Sequence, residues 1–158
     1  MGEYISDMRK LIGHTPLLSI GCDVIIENKN GDILLQRRAD DGEWCVPGGG
    51  MNFGESFIEA AIREVMEETG LNLNAESLSL FGIYSGKDFI VEYPNKDVVF
   101  GGIIVFITKC YNGELFANPL ESLELRFFNK ESLPNNIRKT HNIWIEQWRK
   151  GQGTVYVG

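Results

Sequence analysis

The chain has 158 residues, of which 43% are hydrophobic and 23% are charged, and its formal net charge is −7. These values are typical of one globular domain, which we expect to span residues 1–158 with a core over 17–150. The negative charge argues against non-specific binding to nucleic acid or to an anionic membrane. No apolar run approaches the roughly 18 residues that a membrane-spanning helix needs.

The three cysteines, Cys22, Cys45 and Cys110, are widely spaced and form no CxxC motif. Since the chain has only two histidines, this pattern predicts no zinc cluster. The cysteines lie in or beside apolar runs. We therefore interpret them as small thiols in a reducing compartment, the cytoplasm.

The first fifty residues predict short strands separated by turns. Two apolar runs, over 17–27 and 32–38, flank the turn residues 28–31, which predicts a hairpin. A polar loop is expected over 39–43. A short strand is expected over 44–46, ended by the proline and glycines that follow it.

The next segment carries the signals of a helix over 56–69. Ser56 stands three residues before Glu59, which is the spacing of a capping box at a helix N-terminus. Gly70 stands where a glycine commonly ends a helix, because it adopts a left-handed backbone conformation at little steric cost.

The remainder of the chain mixes strands with one further helix. Apolar runs predict strands over 78–85, 98–111 and 125–129, and the second of these is long enough to be central. A turn is expected over 93–96, and the pattern over 137–150 predicts an amphipathic helix. Because strands and helices do not alternate regularly, we predict an α+β fold or a sandwiched mixed sheet.

Three glutamates share one side of the helix predicted over 56–69. At 100° per residue, Glu64, Glu67 and Glu68 lie within an arc of roughly 100°. The opposite side carries the apolar residues Ile58, Ile62, Val65 and Met66. We expect the apolar side to pack on the sheet and the acidic side to face a cleft.

The acidic side is unfavourable unless something balances its charge. Like charges at i and i+4, such as Glu64 and Glu68, destabilise an isolated helix by roughly 0.2–0.5 kcal/mol. Arg63 lies four residues from both Glu59 and Glu67 and offsets only part of the cluster. A divalent cation could balance the rest, and oxygen-only ligands favour Mg²⁺, Mn²⁺ or Ca²⁺ over zinc. The three glutamates alone also allow the simpler interpretation of a solvated helix face.

The spacing around this helix forms a longer pattern. It consists of Gly49, five residues, Glu55, seven residues, Arg63-Glu64-Val65, one residue, Glu67-Glu68, one residue and Gly70-Leu71. This pattern resembles the Nudix box of the Nudix (MutT-like) hydrolases, and every defined position of the box is filled.

The flanks of the box are also similar to this family. Gly42-Glu43-Trp44 leads to Pro47-Gly48-Gly49, and an acidic stretch with a strand follows at 121–128. The likeness covers residues 17–133. It implies a mixed sheet sandwiched between helices, and a hydrolase that cuts a diphosphate linkage with Mg²⁺, or with Mn²⁺ in its place.

The resemblance also implies roles for individual residues. The metal ligands that it implies are carboxylates and backbone carbonyls of Glu64, Glu67, Glu68, Glu121, Gly48 and Gly49. Glu55 and Arg63 would orient the other catalytic groups through hydrogen bonds and charge. The general base stays open, because family members differ on it and both Glu64 and Glu121 are candidates. Glu124 is the alternative to Glu121.

The substrate is the least constrained part of the prediction. The side chains that could stack on a base are Trp44, Tyr84, Phe89, Tyr93 and Phe100, although ordinary packing is the simpler interpretation of each. Those that could contact phosphates are Lys87, Arg37 and its neighbour Arg38. Signals typical of ADP-ribose, NADH, coenzyme A or dinucleoside polyphosphate hydrolases are absent or unclear. The expected partner is a small nucleotide, without membrane or duplex nucleic acid. A homodimer is common in the family, but the sequence identifies no interface.

Two other functions on the same fold are alternatives. A sensor would bind nucleotide without cleaving it, and an isomerase would use a different set of catalytic residues. The intact box argues against both, so we expect a hydrolase of a nucleoside diphosphate derivative.

Overall fold

A mixed sheet of six strands organises the computed structural model, which describes residues 3–93, 95–151 and 153–158. In this part of the chain the helices are α1 (Glu3–Ile12), α2 (Phe57–Thr69) and α3 (Lys139–Arg149). The strands are β1 (Leu17–Ile26), β2 (Ile33–Arg38), β3 (Trp44–Cys45), β4 (Gly48–Gly50), β5 (Asn72–Leu73), β6 (Ser79–Tyr84), β7 (Ile90–Glu92), β8 (Val98–Thr108), β9 (Tyr111–Asn112), β10 (Ser122–Phe128) and β11 (Tyr156–Val157). Short 3₁₀ helices lie at Ala75–Ser77 and Lys87–Phe89. None of the described helices has the length and apolarity needed to cross a bilayer.

Strand β8 is the centre of the main sheet. It pairs in parallel with β1, from Leu17↔Val99 to Ile26↔Thr108, and antiparallel with β6 and β7 on its other edge. The strand order is β11-β6-β8-β1-β4, with β7 beside β8. The prediction of a long central strand starting at residue 98 is therefore confirmed.

Two apolar clusters cover the two faces of this sheet. Strand β1 alternates between them, with Val24 in the cluster on the α2 side and Ile25 in the cluster on the α3 side. Helix α2 contributes Ala60, Ala61 and Val65 to the first cluster. Helix α3 contributes Trp144, Ile145 and Trp148 to the second. The predicted α+β fold, a mixed sheet between helices, is confirmed.

The hairpin predicted over 17–38 is formed only at its turn. A single bridge, Glu27↔Ile33, joins β1 to β2, after which the two strands enter different sheets. Strand β2 lies between β10 and β3. It has apolar neighbours on both faces, since Leu35 packs in the α3-side cluster and Leu34 in the α2-side cluster. Because both faces of β2 are covered by apolar side chains, this strand is buried without continued pairing to β1.

Helix α2 begins and ends where the sequence predicts. The Ser56 hydroxyl accepts from the Glu59 N–H at 3.3 Å, and the Glu59 carboxylate accepts from the Ser56 N–H at 2.8 Å. This reciprocal pair is the predicted capping box. At the other end Gly70 adopts a left-handed conformation with φ 74°. The two caps fix the length of the helix that carries the glutamates.

The glycines after Pro47 form a strand instead of only ending one. Strand β4 pairs antiparallel with β1, with Cys22 opposite Gly49. A Cβ atom at Gly49 would lie 2.6 Å from the Glu64 carboxylate, and one at Gly48 would overlap Asp23. Only glycine therefore lets this strand lie so close to both β1 and α2. A sequence rule that excludes glycine from strands consequently misses β4.

Helix α1 and strand β7 are elements that the sequence pattern does not predict. Arg9 of α1 donates from Nη2 to the Val98 carbonyl at 2.8 Å and forms an ion pair with Asp97 at 3.5 Å. Ile5, on the same helix, is buried. The turn predicted over 93–96 includes Pro94, which lies outside the described residues.

Candidate active site

Three carboxylates converge beside α2. Glu64 and Glu68 are one helical turn apart, and only 4% and 3% of their surfaces are exposed. Glu121, from the loop before β10, reaches the same point. One carboxylate oxygen from each residue lies within 4.8 Å of those from the other two. The simpler interpretation of a solvated helix face is therefore wrong for Glu64 and Glu68.

Neutral hydrogen-bond donors hold Glu68. Its Oε2 accepts from the Gln36 amide at 2.7 Å and from the Gly48 N–H at 2.8 Å. Ser122 in turn donates from Oγ to the side-chain amide oxygen, Oε1, of Gln36 at 2.5 Å. Burial raises the pKa of Glu68 to about 8, because the two donors offset only part of the desolvation. The carboxylate is fixed in direction and is costly to ionise until a positive charge approaches it.

Arg63 connects Glu64 to Glu55 and to the glycine strand. It donates to the two oxygens of Glu55 at 2.5 and 2.9 Å, to Glu64 at 2.7 Å and to the Gly50 carbonyl at 3.0 Å. The Arg63 guanidinium is the main reason why the pKa of Glu55 is lowered to about 2. Burial raises the pKa of Glu64, and Arg63 opposes that rise. These are the contacts that a pair of orienting residues would make.

Glu67 lies outside the group of three carboxylates. Its side chain is 49% exposed, and it accepts from Arg63 at 3.3 Å. The rotation of α2 turns Glu64 and Glu68 towards the protein and Glu67 towards solvent. Helical periodicity places the three glutamates on one face, whereas in the structure Glu64 and Glu68 are buried and Glu67 is exposed to solvent.

Glu121 is positioned by its backbone. Its carbonyl accepts from the Ala39 N–H at 2.9 Å, and its N–H donates to the Asn118 carbonyl at 3.0 Å. Among the described residues, none donates a hydrogen bond to its carboxylate. Glu124 instead pairs with Arg126 at 2.6 Å on the surface. The structure therefore favours Glu121 over Glu124 as the late acidic residue of the site.

A cavity of about 440 Å³ opens beside the three carboxylates. Its floor is one face of the main sheet, because alternate residues of β1 and β8 line it: Ser19, Gly21, Asp23, Val99, Gly101 and Ile103. Strand β4 lines its edge with Gly48, Gly49 and Gly50. Other elements supply the walls, including Ile5, Phe89, Val91, Tyr93, Leu120, Thr140, His141 and Trp144. The volume falls within the range of about 300–1,000 Å³ that is typical of small-molecule sites.

Asp23 and His141 form a buried polar pair in this cavity that the sequence does not reveal. Asp23 Oδ2 and His141 Nδ1 lie 3.5 Å apart, which is too long for a well-formed hydrogen bond. Burial raises the pKa of Asp23 well above its usual range, and nearby carboxylates raise it further. Burial also lowers the pKa of His141 well below its usual range, assisted by two nearby arginines. Both shifts favour the uncharged form of each side chain, so ion pairing does little to stabilise this contact.

Two arginines bring positive charge to the cavity. Arg38 lines it and donates to both oxygens of Asp40 at 2.8 Å. Arg138 lines it from the start of α3 and pairs with Asp41. Arg38 is among the residues that the sequence suggests as phosphate contacts, whereas the sequence gives no signal for Arg138.

Five of the other predicted substrate contacts do not line the cavity: Trp44, Tyr84, Phe100, Arg37 and Lys87. Trp44 and Tyr84 are only 5% and 1% exposed, because both pack in the α3-side cluster. Arg37 is exposed and faces away from Arg38, since successive residues of a strand point to opposite sides. Lys87 is exposed at the start of a 3₁₀ helix. Phe89 and Tyr93, which the sequence also suggests as stacking residues, do line the cavity, and so does Trp144.

Comparison with known proteins identifies the family. The family profile described as the NUDIX domain matches residues 18–148, which include the box, the three carboxylates and α3 up to Trp148. The chain belongs to the Nudix family. Nudix enzymes generally use divalent metal, and the three carboxylates of this chain form a group that could hold such an ion.

Two relatives and one solved structure show what this Nudix chain is similar to. It is 36% identical over 118 residues to an ADP-ribose pyrophosphatase of Methanocaldococcus jannaschii, and the match covers 73% of this chain and 64% of that enzyme. It is 28% identical over 127 residues to an RNA pyrophosphohydrolase of Wolbachia sp. subsp. Brugia malayi, covering 80% of this chain and 70% of that one. A MutT Nudix hydrolase from Burkholderia pseudomallei matches with a TM-score of 0.69 and 26% identity, over 82% of this chain and 97% of that one.

Proposed function

We propose that this Nudix protein is a Mg²⁺-dependent hydrolase that cuts the diphosphate linkage of a nucleoside diphosphate derivative, such as a nucleotide sugar, ADP-ribose or a nucleoside triphosphate. The observation that carries the proposal is the convergence of Glu64, Glu68 and Glu121 beside a cavity of nucleotide size. The two relatives are named as pyrophosphohydrolases of different substrates. They support the reaction type and leave the substrate as a class.

The donor set fits a hard divalent cation. The group of three offers carboxylate oxygens only, and two of its members are buried with raised pKa values. Such a group is strained by its own negative charge and suits Mg²⁺ or Mn²⁺. The ion, when bound, would lower the pKa of a bound water and neutralise charge on the diphosphate. The carbonyls of Gly48 and Gly49 and the carboxylate of Glu67 would complete the set of protein ligands.

Positioning is the work of the residues behind the carboxylates. Gln36 and the Gly48 N–H aim Glu68, and Arg63 restrains Glu64 against β4. Either Glu64 or Glu121 would accept the proton of the attacking water. Neither side chain would need to move, because Arg63 holds Glu64 and backbone hydrogen bonds position Glu121.

Arg38 and Arg138 would contact the phosphate groups of the substrate. Both line the cavity, and each already pairs with an aspartate at its rim. A bound phosphate would therefore replace the aspartate as the anionic partner of each arginine, and it would not leave a buried charge unpaired. This assigns the phosphate contact to Arg38 in place of Arg37.

Glu68→Gln is the test of this proposal. The substitution keeps the shape of the side chain but removes its charge, and we expect turnover to fall by more than about 100-fold, since changing even a partner of a metal ligand costs about 10–100-fold. The matched control is Glu76→Gln, the same change at an exposed residue outside the cavity, which should retain turnover. The assay is a panel of nucleoside diphosphate compounds with Mg²⁺, with the products identified by mass spectrometry.

Two outcomes would count against the proposal. Near-normal turnover by Glu68→Gln, with a circular dichroism spectrum like that of the parent protein, would remove Glu68 from the catalytic group. Tight binding of one compound without turnover of any compound by the parent protein would indicate a sensor instead of a hydrolase.

A further inference from the structure

The face of the main sheet that packs against α2 is covered over only part of its area. Helix α2 packs on the second half of β1, where Cys22, Val24 and Ile26 are fully buried. On the first half of the same strand, Leu18 and Ile20 remain 65% and 43% exposed. Since alternate residues of a strand point to the same side, these five residues belong to one face with a covered and an uncovered part.

The pairing of the strands extends the uncovered part across the sheet. Leu18 pairs with Phe100 of β8, which pairs in turn with Ile90 of β7. Ile83 of β6 lies on the same side, because it pairs with Ile104 of the α2-side cluster. We call this uncovered surface the open face, and it consists of exposed or half-buried apolar side chains: Leu18, Ile20, Ile83, Ile90, Phe100 and Val157, the last beside Ile83.

The open face has the apolar area that a dimer interface needs. Its six side chains expose roughly 500 Å² of apolar surface, which is in the upper part of the range for the largest patch on a monomer. A standard interface covers about 800 Å² on each partner, and homodimer interfaces are about 65% apolar. Each copy must therefore supply about 500 Å² of apolar surface, and the open face supplies it.

The charge of the chain favours a second copy that binds through this face. Each copy carries a net charge of −7, so two copies repel each other unless they meet through uncharged surface. None of the six side chains is charged, and the exposed Glu92 lies at the margin of the face, two residues after Ile90. An apolar centre with charge at its rim is the usual composition of a protein interface. An anionic membrane or a nucleic acid would be repelled by the same net charge.

The open face also has relief that matches a second copy of itself. Leu18, Phe100 and Ile90 form one row across the strands, and in the next row Gly102 lies beside Ile20. A Cβ atom at Gly102 would have no other atom within 4 Å, so there is open space above this glycine. Around a two-fold axis, the side chains of each copy can enter the space above Gly102 of the other.

We propose that this protein forms a homodimer in which the open faces of two copies pack against each other around a two-fold axis. Sheets that pack face to face lie about 10 Å apart with interdigitated side chains. The cavity beside the three carboxylates lies on the other side of β1, where Ser19 and Gly21 line it. Dimerisation therefore leaves both cavities accessible, and the dimer does not depend on the proposed function.

Sedimentation velocity over a range of protein concentrations tests this dimer. We expect twice the mass of one chain at about 100 μM, because standard interfaces have dissociation constants from μM to pM. Leu18→Lys should weaken association by about 100-fold or more, because it buries an unpaired charge in each copy. The matched control is Leu123→Lys, the same change at a 57% exposed leucine of β10, in the other sheet. It should associate as the parent protein does.

Gly102→Leu tests the shape of the interface without adding charge. The new side chain has open space in one copy, but it would fill the gap that the other copy enters, so association should weaken by about tenfold or more. At a concentration where the parent protein is monomeric, the Tm of this variant should be no lower than that of the parent, because glycine weakens a strand interior. This comparison separates loss of the dimer from loss of the fold.

Hydroxyl-radical footprinting locates the interface directly. Oxidation of Leu18 and Ile90 should fall as the concentration is raised through the dissociation constant, whereas oxidation of Leu123 should stay constant. A parent protein that is monomeric at about 100 μM would overturn the proposal. Unchanged association of Leu18→Lys, or equal weakening in Leu18→Lys and Leu123→Lys, would also overturn it. Assemblies that grow beyond two copies would contradict a closed two-fold interface.

Discussion

Glu64 and Glu68 are buried on the same helix, yet they are stabilised in different ways. Glu68 is held by neutral donors, the Gln36 amide and a backbone N–H, which give direction but no compensating charge. Glu64 is held by Arg63, which supplies a full charge. Because the partners of Glu68 are neutral, this carboxyl is costly to ionise, and a cation would be most stabilising beside it.

The ion pair of Glu55 with Arg63 should make the stability of the protein depend on pH. Its pKa is lowered from 4.5 to about 2 by Arg63, so its contribution to stability is present above about pH 4.5 and is lost as the pH falls towards 2. We expect Glu55→Gln to lower the free energy of unfolding by about 1 kcal/mol at pH 7, a value reduced by partial exposure of the pair. The difference should shrink below pH 4.5 in urea titrations from pH 3 to 7.

The control for this measurement is Glu124→Gln, which breaks the more exposed pair with Arg126. It should change stability by less than about 0.5 kcal/mol at every pH. A loss in Glu55→Gln that stays the same from pH 7 to pH 3 would show that charge is not the origin of the effect.

Residues of the site differ in how far the sequence could predict them. The spacing of Glu55, Arg63, Glu64 and Glu68 follows from a local helix, and the structure brings them together as expected. The contact between Asp23 and His141 joins β1 to α3, and no local period encodes it. The sequence signal for Asp23 is a charged residue within an apolar strand. This signal does not indicate which residue Asp23 contacts.

At the scale of elements, β4 and α2 act as one unit. The glycine strand carries the N–H that holds Glu68 and the carbonyl that holds Arg63. The capping box of α2 fixes where its helical rotation starts, and hence which glutamates are turned inward. Helix caps and their motifs are local and could be predicted, whereas the pairing of β4 depends on the distant strand β1.

Helix α1 is held to the sheet by an arginine. Arg9, only 11% exposed, ties it to the β7–β8 turn through Asp97 and the Val98 carbonyl. We expect Arg9→Ala to lower the free energy of unfolding by about 1–3 kcal/mol, because it removes the donor to the Val98 carbonyl and the cation beside the buried Asp97 carboxylate. Hydrogen exchange measured by mass spectrometry should become faster over residues 3–12.

Lys10 is a matched control because it is adjacent to Arg9 but pairs with Asp7 on the surface, where both side chains are about 70% exposed. Lys10→Ala should change stability by less than about 0.5 kcal/mol. Equal exchange rates over α1 in the two variants would contradict the tethering role of Arg9. The sequence does not predict this tether, since its contact lies 89 positions away along the chain.

At the scale of the whole molecule, one cavity draws residues from all three layers. Helix α1 contributes Ile5, α2 contributes Glu64 and Glu68, and α3 contributes His141, above a floor from the sheet. The site therefore exists only when the sandwich is assembled. A ligand that binds the assembled site and not the unfolded chain must stabilise the fold as a whole.

Metal binding should therefore appear as a shift in thermal unfolding. At a Mg²⁺ concentration 100 times its Kd, we expect about 2.7 kcal/mol of added stability, which corresponds to a rise in Tm of roughly 5–10 °C for a domain of this size. Glu68→Gln should be about as stable as the parent protein in EDTA, because the buried carboxyl that it replaces is costly to ionise without a cation, and should respond little to Mg²⁺. Calorimetry in EDTA and in Mg²⁺ gives both comparisons, with Glu76→Gln as the control that should follow the parent protein. An equal Mg²⁺ shift in Glu68→Gln and in the parent protein would place the ion away from Glu68.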